Sequence, residues 1–152
     1  MAQTVKLSGF TGAEAALSEL SRAVGKAVIR RALISAGQPM ARVARANAPK
    51  GPDLYLSESI DVSTKLSKRQ ASLHRKMFKD DRAAVEVFVG AGPDPAAHNQ
   101  EFGNVLHPPQ PFMRPAWDAE KMPTLDRLKV EMWDEIGKAA ERAARKALKA
   151  RG

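Results

Sequence analysis

Two stretches of the chain place apolar residues at intervals of three and four, which predicts amphipathic helices. The first begins after Thr11, which with Glu14 forms the Ser/Thr-x-x-Glu pattern of a capping box. Its apolar positions run through Leu17, Leu20, Val24 and Val28, then Ile29, Leu33, Ala36, Met40 and Val43, as far as Ala48. Gly37-Gln38-Pro39 predicts a kink or break, because proline lacks an amide hydrogen and its ring meets the preceding turn; Pro49 ends the helix. The second helix opens at Phe112-Met113-Arg114-Pro115-Ala116-Trp117, with Pro115 in its first turn. Leu125, Leu128, Met132, Ile136, Ala139, Ala143 and Ala147 mark its apolar face, and Pro123 is expected to kink or restart it.

Between these helices the period falls to two. Val85, Val87 and Val89 alternate with Ala84, Glu86 and Phe88, predicting a strand over Ala84 to Gly90. Weaker strand patterns lie at Gln3 to Phe10 and at Leu54 to Leu66, around Ile60 and Val62. Turn chemistry fills Pro49 to Asp53 and Gly90 to Pro95; Ala96 to Phe102 reads as a helical turn and Gly103 to Pro111 as loop. Ser67 to Arg82 is polar and basic, with Leu73, Met77 and Phe78 as its apolar residues, so a short helix or an ordered hairpin extension is expected in a flexible basic segment at about 67–82. The expected architecture is a single α+β domain over 1–152: two long helices packed on a small, mainly antiparallel β-sheet. Neither helix covers its own apolar face, so a neighbouring subunit is expected to complete part of that surface.

Composition excludes several classes. With no cysteine, disulfides and thiolate metal sites are ruled out. No apolar run approaches the roughly 20 residues of a membrane span, and Met1 to Phe10 lacks the succession of a signal peptide. The chain reads as made in, and soluble in, a reducing cytoplasm, with no membrane partner. Charge adds something: 25 Lys and Arg against 17 Asp and Glu leave a formal +8. That surplus favours acidic partners, either nucleic acid or a negative protein surface.

Catalysis needs convergent groups, and few are offered. His98, Glu101 and His107 form the one local His/Glu cluster, a donor set that could hold zinc with a position left open. Their spacing is not that of a helical His-Glu-x-x-His site, and His107 abuts Pro108-Pro109; a local hydrogen bond between His98 and Glu101 is the expected alternative. Ser57, Ser59, Ser63 and Ser67 lack a nucleophile elbow. Gly90-Ala91-Gly92 runs into Pro93-Asp94-Pro95, not into a helix, and no phosphate-binding Gly-Lys-Ser/Thr occurs. No catalytic residue, cofactor or metal ligand is assigned, and no enzymatic activity is expected.

Two basic segments remain. Lys138, Arg142, Arg145, Lys146, Lys149 and Arg151 complement the negative end of their helix and are interleaved with alanines, not with aromatics that stack on bases. Lys68, Arg69, Arg75, Lys76 and Lys79 are the stronger candidates for contact with DNA or an acidic partner. Such contacts would reach phosphates, respond to salt and read no sequence. A small basic nucleic-acid-binding protein is therefore the alternative function.

Three stretches, in order, carry a resemblance. They are Ala46-Asn47-Ala48-Pro49 followed by Leu54 to Ile60; Val89-Gly90 followed by Ala97-His98-Asn99-Gln100-Glu101-Phe102-Gly103; and Pro109-Gln110-Pro111-Phe112-Met113-Arg114-Pro115-Ala116. Over roughly residues 12 to 145 the chain resembles the tail-completion, or head–tail connector, proteins of long-tailed bacteriophages and related prophage or gene-transfer particles. Gly51-Pro52-Asp53 stands where that family has a Thr-Gly turn, and Ala97 and His98 stand where it has aromatics.

The resemblance implies a structural protein of the virion tail and neck, assembled in the bacterial host cytoplasm. Its implied partners are further copies of itself in a ring of six around the DNA channel, tail-tube or tail-terminator proteins, and head or neck connector proteins. The motif residues implied for assembly are Pro49, Leu54, Glu101, Phe102, Gly103, Pro111, Phe112, Arg114, Pro115 and Trp117. Physically, Phe102 is expected as an apolar anchor beside Gly103, which is free to adopt positive φ. Phe112, Met113 and Trp117 are expected to bury themselves where the loop enters the helix. Arg114, framed by Phe112 and Pro115, is expected to pair with Glu101 or a backbone carbonyl. The loops near 67–82 and 91–111 are the expected contacts to other subunits or the neck.

Overall fold

A computed structural model describes residues 18, 20–51, 55–79 and 84–151. The expected strand over 3–10, the Thr11 capping box, Leu17 and Leu54 lie outside the described residues. In chain order the elements are α1 (Arg22–Asn47), α2 (Tyr55–Ser59), β1 (Asp61–Ser63), α3 (Lys68–Met77), β2 (Phe88–Gly90), α4 (Pro95–Phe102) and α5 (Met113–Arg151). The architecture is α+β, two long helices with a small antiparallel sheet.

Small residues set how closely the long helices meet. The buried stripe of α1 is Gly25, Val28, Ala32, Ala36, Gly37, Met40, Ala41 and Ala44. Val28 and Ala32 pack with Met132, Ile136 and Ala139 of α5. Towards the other end, Met40, Ala41 and Ala44 pack with Phe112, Ala116, Leu56, Ile60 and Val62. Early α1 thus meets late α5, which makes the pair antiparallel. Arg31 pairs with Glu135 across the seam, and Arg127 Nε donates to the Ala36 carbonyl at 3.4 Å. The periodicity runs past this seam at the end of α5, where Ala143 and Ala147 are exposed and no described residue after Ala139 is buried. On α1, Val24 is 41% exposed although Leu20 before it packs on the seam.

Neither proline interrupts its helix. Pro39 lies within α1 and Pro123 within α5, both continuous elements, so of the two alternatives expected at each proline the break and the restart do not occur. The carbonyls that these prolines leave without a donor belong to Ser35 and Ala119, four residues earlier, and both residues are exposed. Water can serve those carbonyls, while packing on either side holds the helix together.

The sheet is smaller than the alternation suggested. β1 and β2 pair antiparallel through Asp61 with Gly90, Val62 with Val89, and Ser63 with Phe88. The segment Leu54 to Leu66 is not one strand, because Leu56 and Ile60 stand four apart and both turn into the core, which makes a helical turn of Tyr55–Ser59. Val85 and Val87 precede β2 without joining it, since β1 ends at Ser63, where the Ser63 hydroxyl accepts from the Lys65 amide at 3.0 Å. Gly37 faces the hairpin: a Cβ there would sit 3.4 Å from Val89 and 3.5 Å from Val62. Arg45 fastens β1 to α1, donating to the Ile60 carbonyl at 2.7 Å and pairing with Asp61.

The basic segment forms a helix over Lys68–Met77. Ser67 and Gln70 close a full capping box, side chain to backbone in both directions. Its inner contact is His74, whose ring lies 4.9 Å from Phe78 and meets Phe88 of β2 edge-on at 5.3 Å.

Candidate functional site

The start of α5 poses a problem that its own residues do not solve. A helix begins with backbone amides that have no partner within it, and a Ser, Thr, Asp or Asn at the cap usually accepts from them. Here the cap position is Phe112, preceded by Pro111, and neither offers an acceptor. The acceptor comes from α4. The Glu101 carboxylate accepts from the amides of Phe112 (2.8 Å), Met113 (3.0 Å) and Arg114 (3.1 Å). Pro115, next in line, has no amide hydrogen to satisfy.

Arg114 closes the knot from outside. Its Nε donates to Glu101 Oε1 at 2.9 Å and its Nη2 to the Glu101 carbonyl at 2.7 Å, realising the pairing expected from the sequence. The Glu101 side chain is 7% exposed, and that of Arg114 is 57% exposed. Burial alone would push the Glu101 carboxyl up. The amides of Met113 and Phe112, the Arg114 side chain and the Arg114 amide outweigh it and hold the group below its ordinary value.

Two motif side chains point the opposite way from their expectation. Phe102 is not a buried anchor: it is 57% exposed, lying against the His98 ring (4.9 Å) and under the Arg114 guanidinium (5.1 Å). Ala97 and Glu101, four apart on α4, face inward, which turns His98 and Phe102 outward. Trp117 is 56% exposed along a cleft of about 410 Å³ shared with Leu33, Met40, Val87, Val89 and Met113. Phe112 is the aromatic that becomes core, at 1% exposure. The expected bond between His98 and Glu101 does not form, because Glu101 is committed to α5. Among the described residues no group of three His, Cys, Asp or Glu is gathered that could hold a metal.

From this knot a loop projects. Gly103 ends α4 at φ 74°, and a Cβ there would lie 2.7 Å from the Pro109 nitrogen, so both conformation and space demand glycine. Asn104 Oδ1 accepts from the amides of Leu106 (2.8 Å) and His107 (3.0 Å), a side-chain-built turn. The Asn104 amide donates back to the His107 carbonyl at 3.0 Å, and the Gln110 amide to the Gln100 carbonyl at 2.7 Å. The loop is therefore braced at its base and across its width, yet it holds Val105 and Leu106 fully in solvent, at 103% and 91% exposure. Sequence reasoning marked this stretch as loop without singling out these two residues; an apolar pair set between Asn104 and Pro108-Pro109 was the available signal.

The remaining candidates lie apart from the knot. Pro49 is half-buried just beyond α1, and Pro111 and Pro115 are exposed around the α5 start. Lys68, Arg69, Arg75 and Lys76 are exposed on α3, with Lys79 exposed just after it.

A family model described as "Bacteriophage HK97-gp10, putative tail-component" matches residues 13–103, more than half of the chain. No curated protein and no solved structure matches it.

Proposed function

The chain belongs to the HK97-gp10-like family of bacteriophage tail components, and from that premise we propose that it completes the tail and joins it to the head, docking through the loop over 103–111. As a tail component it is a structural part of the virion that meets other phage structural proteins. The finer reading is a non-enzymatic connector that forms a ring, six copies around the DNA channel, between tail-tube or tail-terminator proteins and the head or neck. Heterologous contacts that close by rotation build such rings.

One observation carries the docking role: Val105 and Leu106 are held in solvent on a loop whose shape is already fixed. Burying two such side chains in a partner is worth about 1.5–3 kcal/mol each. A pre-shaped loop gives up little conformational freedom on binding, so more of that gain appears as affinity. The Glu101–Arg114 knot, Gly103 and Phe112 act as the mount, and Phe102 and Trp117 extend the exposed apolar surface around it.

The test is complementation of particles that lack this protein. Without it, full heads and finished but unattached tails should accumulate under negative-stain microscopy. V105D/L106D should fold with an unchanged melting temperature and still leave heads and tails apart. Normal infectious particles from that variant would refute the docking role, and normal particles without the protein would refute the joining role.

A further inference from the structure

The solvent face of α3 gathers on one arc four exposed cations that are unpaired among the described residues, the densest such group on the described elements. From Lys65 to Lys79 the sequence holds six Lys and Arg and no Asp or Glu. At about 100° per residue, Lys68, Arg69, Ser72, Arg75 and Lys76 fall within one arc of about 120°. The four cations of that arc are exposed, and none makes an ion pair among the described residues. Along most of α5, by contrast, Lys121, Lys129, Lys138 and Arg145 each have an acid three or four residues away as partner. Three exposed cations without one among the described residues lie at its end (Arg142, Lys146, Lys149) and three on α1 (Arg22, Lys26, Arg30), against four over 68–76 on α3.

The stripe is also aimed. His74, on the opposite side of α3, packs against Phe88 and Phe78 and approaches Glu86 at 3.9 Å, which turns the cations outward. The capping box fixes the first turn, so the stripe is presented in one orientation.

We propose that this face of α3 grips the phosphate backbone of duplex DNA. Lys68 to Lys76 spans about 12 Å of helix axis. One DNA strand presents three or four phosphates over about that length, at roughly one per 3.4 Å. The stripe contains no aromatic to stack on an unpaired base and no Asn or Gln to read a base edge. It therefore selects double-stranded polyanion by charge and spacing, independent of sequence. None of the loop residues 103–111 takes part, so this surface stands or falls separately from the joining role.

The experiment is fluorescence anisotropy of the full chain with a labelled 30-base-pair duplex of arbitrary sequence, titrated across salt. The α3 variant is K68Q/R69Q/R75Q/K76Q, which keeps helix propensity and replaces no buried residue. The control R142Q/R145Q/K146Q/K149Q removes the same charge from the end of α5. The α3 variant should lose at least about tenfold in affinity, and its slope of log affinity against log salt should fall by about 3. The control should stay within about threefold of the parent.

Equal losses in both variants would reduce the effect to net charge and overturn the proposal, as would no binding by the parent chain at about 50 mM salt. Tighter binding to poly-L-glutamate, or to phosphatidylserine vesicles, than to the duplex would reassign the face to an acidic protein or a membrane, and also overturn it. If the quadruple variant melts early, R75Q/K76Q alone should lower the salt slope by about half as much. A DNA-binding defect with heads and tails still joined would separate this surface from the docking loop.

Discussion

The α1–α5 seam and the Glu101 knot hold the same helix by different physics. Along the seam, adhesion is spread over Val28, Ala32, Met132, Ile136, Ala139 and their neighbours, each contributing a small apolar area. At the knot, one carboxylate takes up three backbone amides and a guanidinium within a single turn. Dispersed apolar contact degrades by increments when a side chain shrinks, because neighbours relax into part of the space. A buried acceptor cannot be partly replaced, since its removal leaves several donors without partners at once. The seam therefore supplies bulk adhesion, and the knot supplies the position of the loop.

The sharpest test of that difference is Glu101→Ala. It strands the amides of Phe112, Met113 and Arg114 and should cost about 3 kcal/mol, read as a melting temperature lower by roughly 6–12 °C. The same residue gives a pH signature. Its folded-state value lies below the ordinary 4.5, so its contribution is present above the unfolded value and is lost as pH falls below it towards the folded value. Acid titration of stability should show that loss in the parent chain and a shallower one in Glu101→Ala.

Gly103→Ala comes next, at about 2 kcal/mol, because a Cβ meets the Pro109 backbone at a φ that suits glycine. Its effect should concentrate in the loop, as faster amide hydrogen exchange at 104–110 than along α1. The smallest change belongs to the seam: Ile136→Val should cost about 1 kcal/mol in chemical denaturation and leave exchange in the loop untouched. If Ile136→Val loosened the loop as much as Gly103→Ala, the division between seam and knot would fail.

What the sequence made legible follows the same division. The seam could be read because regular burial leaves a regular period, and Val28, Met40, Met132 and Ile136 fell where the spacing put them. The reading overshot at Ala143 and Ala147, since periodicity along one helix does not say where its partner stops. Leu54 to Leu66 misled because Leu56 and Ile60 supply only one helical turn, too short for its period to stand out beside Val62. At the knot, the pairing of Arg114 with Glu101 was legible from the rigid frame around the arginine. Which residue of Glu101-Phe102-Gly103 turns inward was not, because hydrophobicity favours burying phenylalanine while the helix start requires an acceptor. The missing clue was an absence: Pro111 and Phe112 cannot cap a helix, so an acceptor had to come from elsewhere in the chain.

The bracing between Gly103 and Gln110 sets a gauge. With a carbonyl from α4 at one end and the first turn of α5 at the other, adding or removing a residue in between would break the Asn104 turn and the Gln100–Gln110 bond together. The side chains at 105 and 106 stand in solvent and take no part in those hydrogen bonds, so exchanging them should leave the fold in place. Under the proposed docking role, such a mount would let a lineage change what it fastens to by editing two codons, while the span of the hook is held constant.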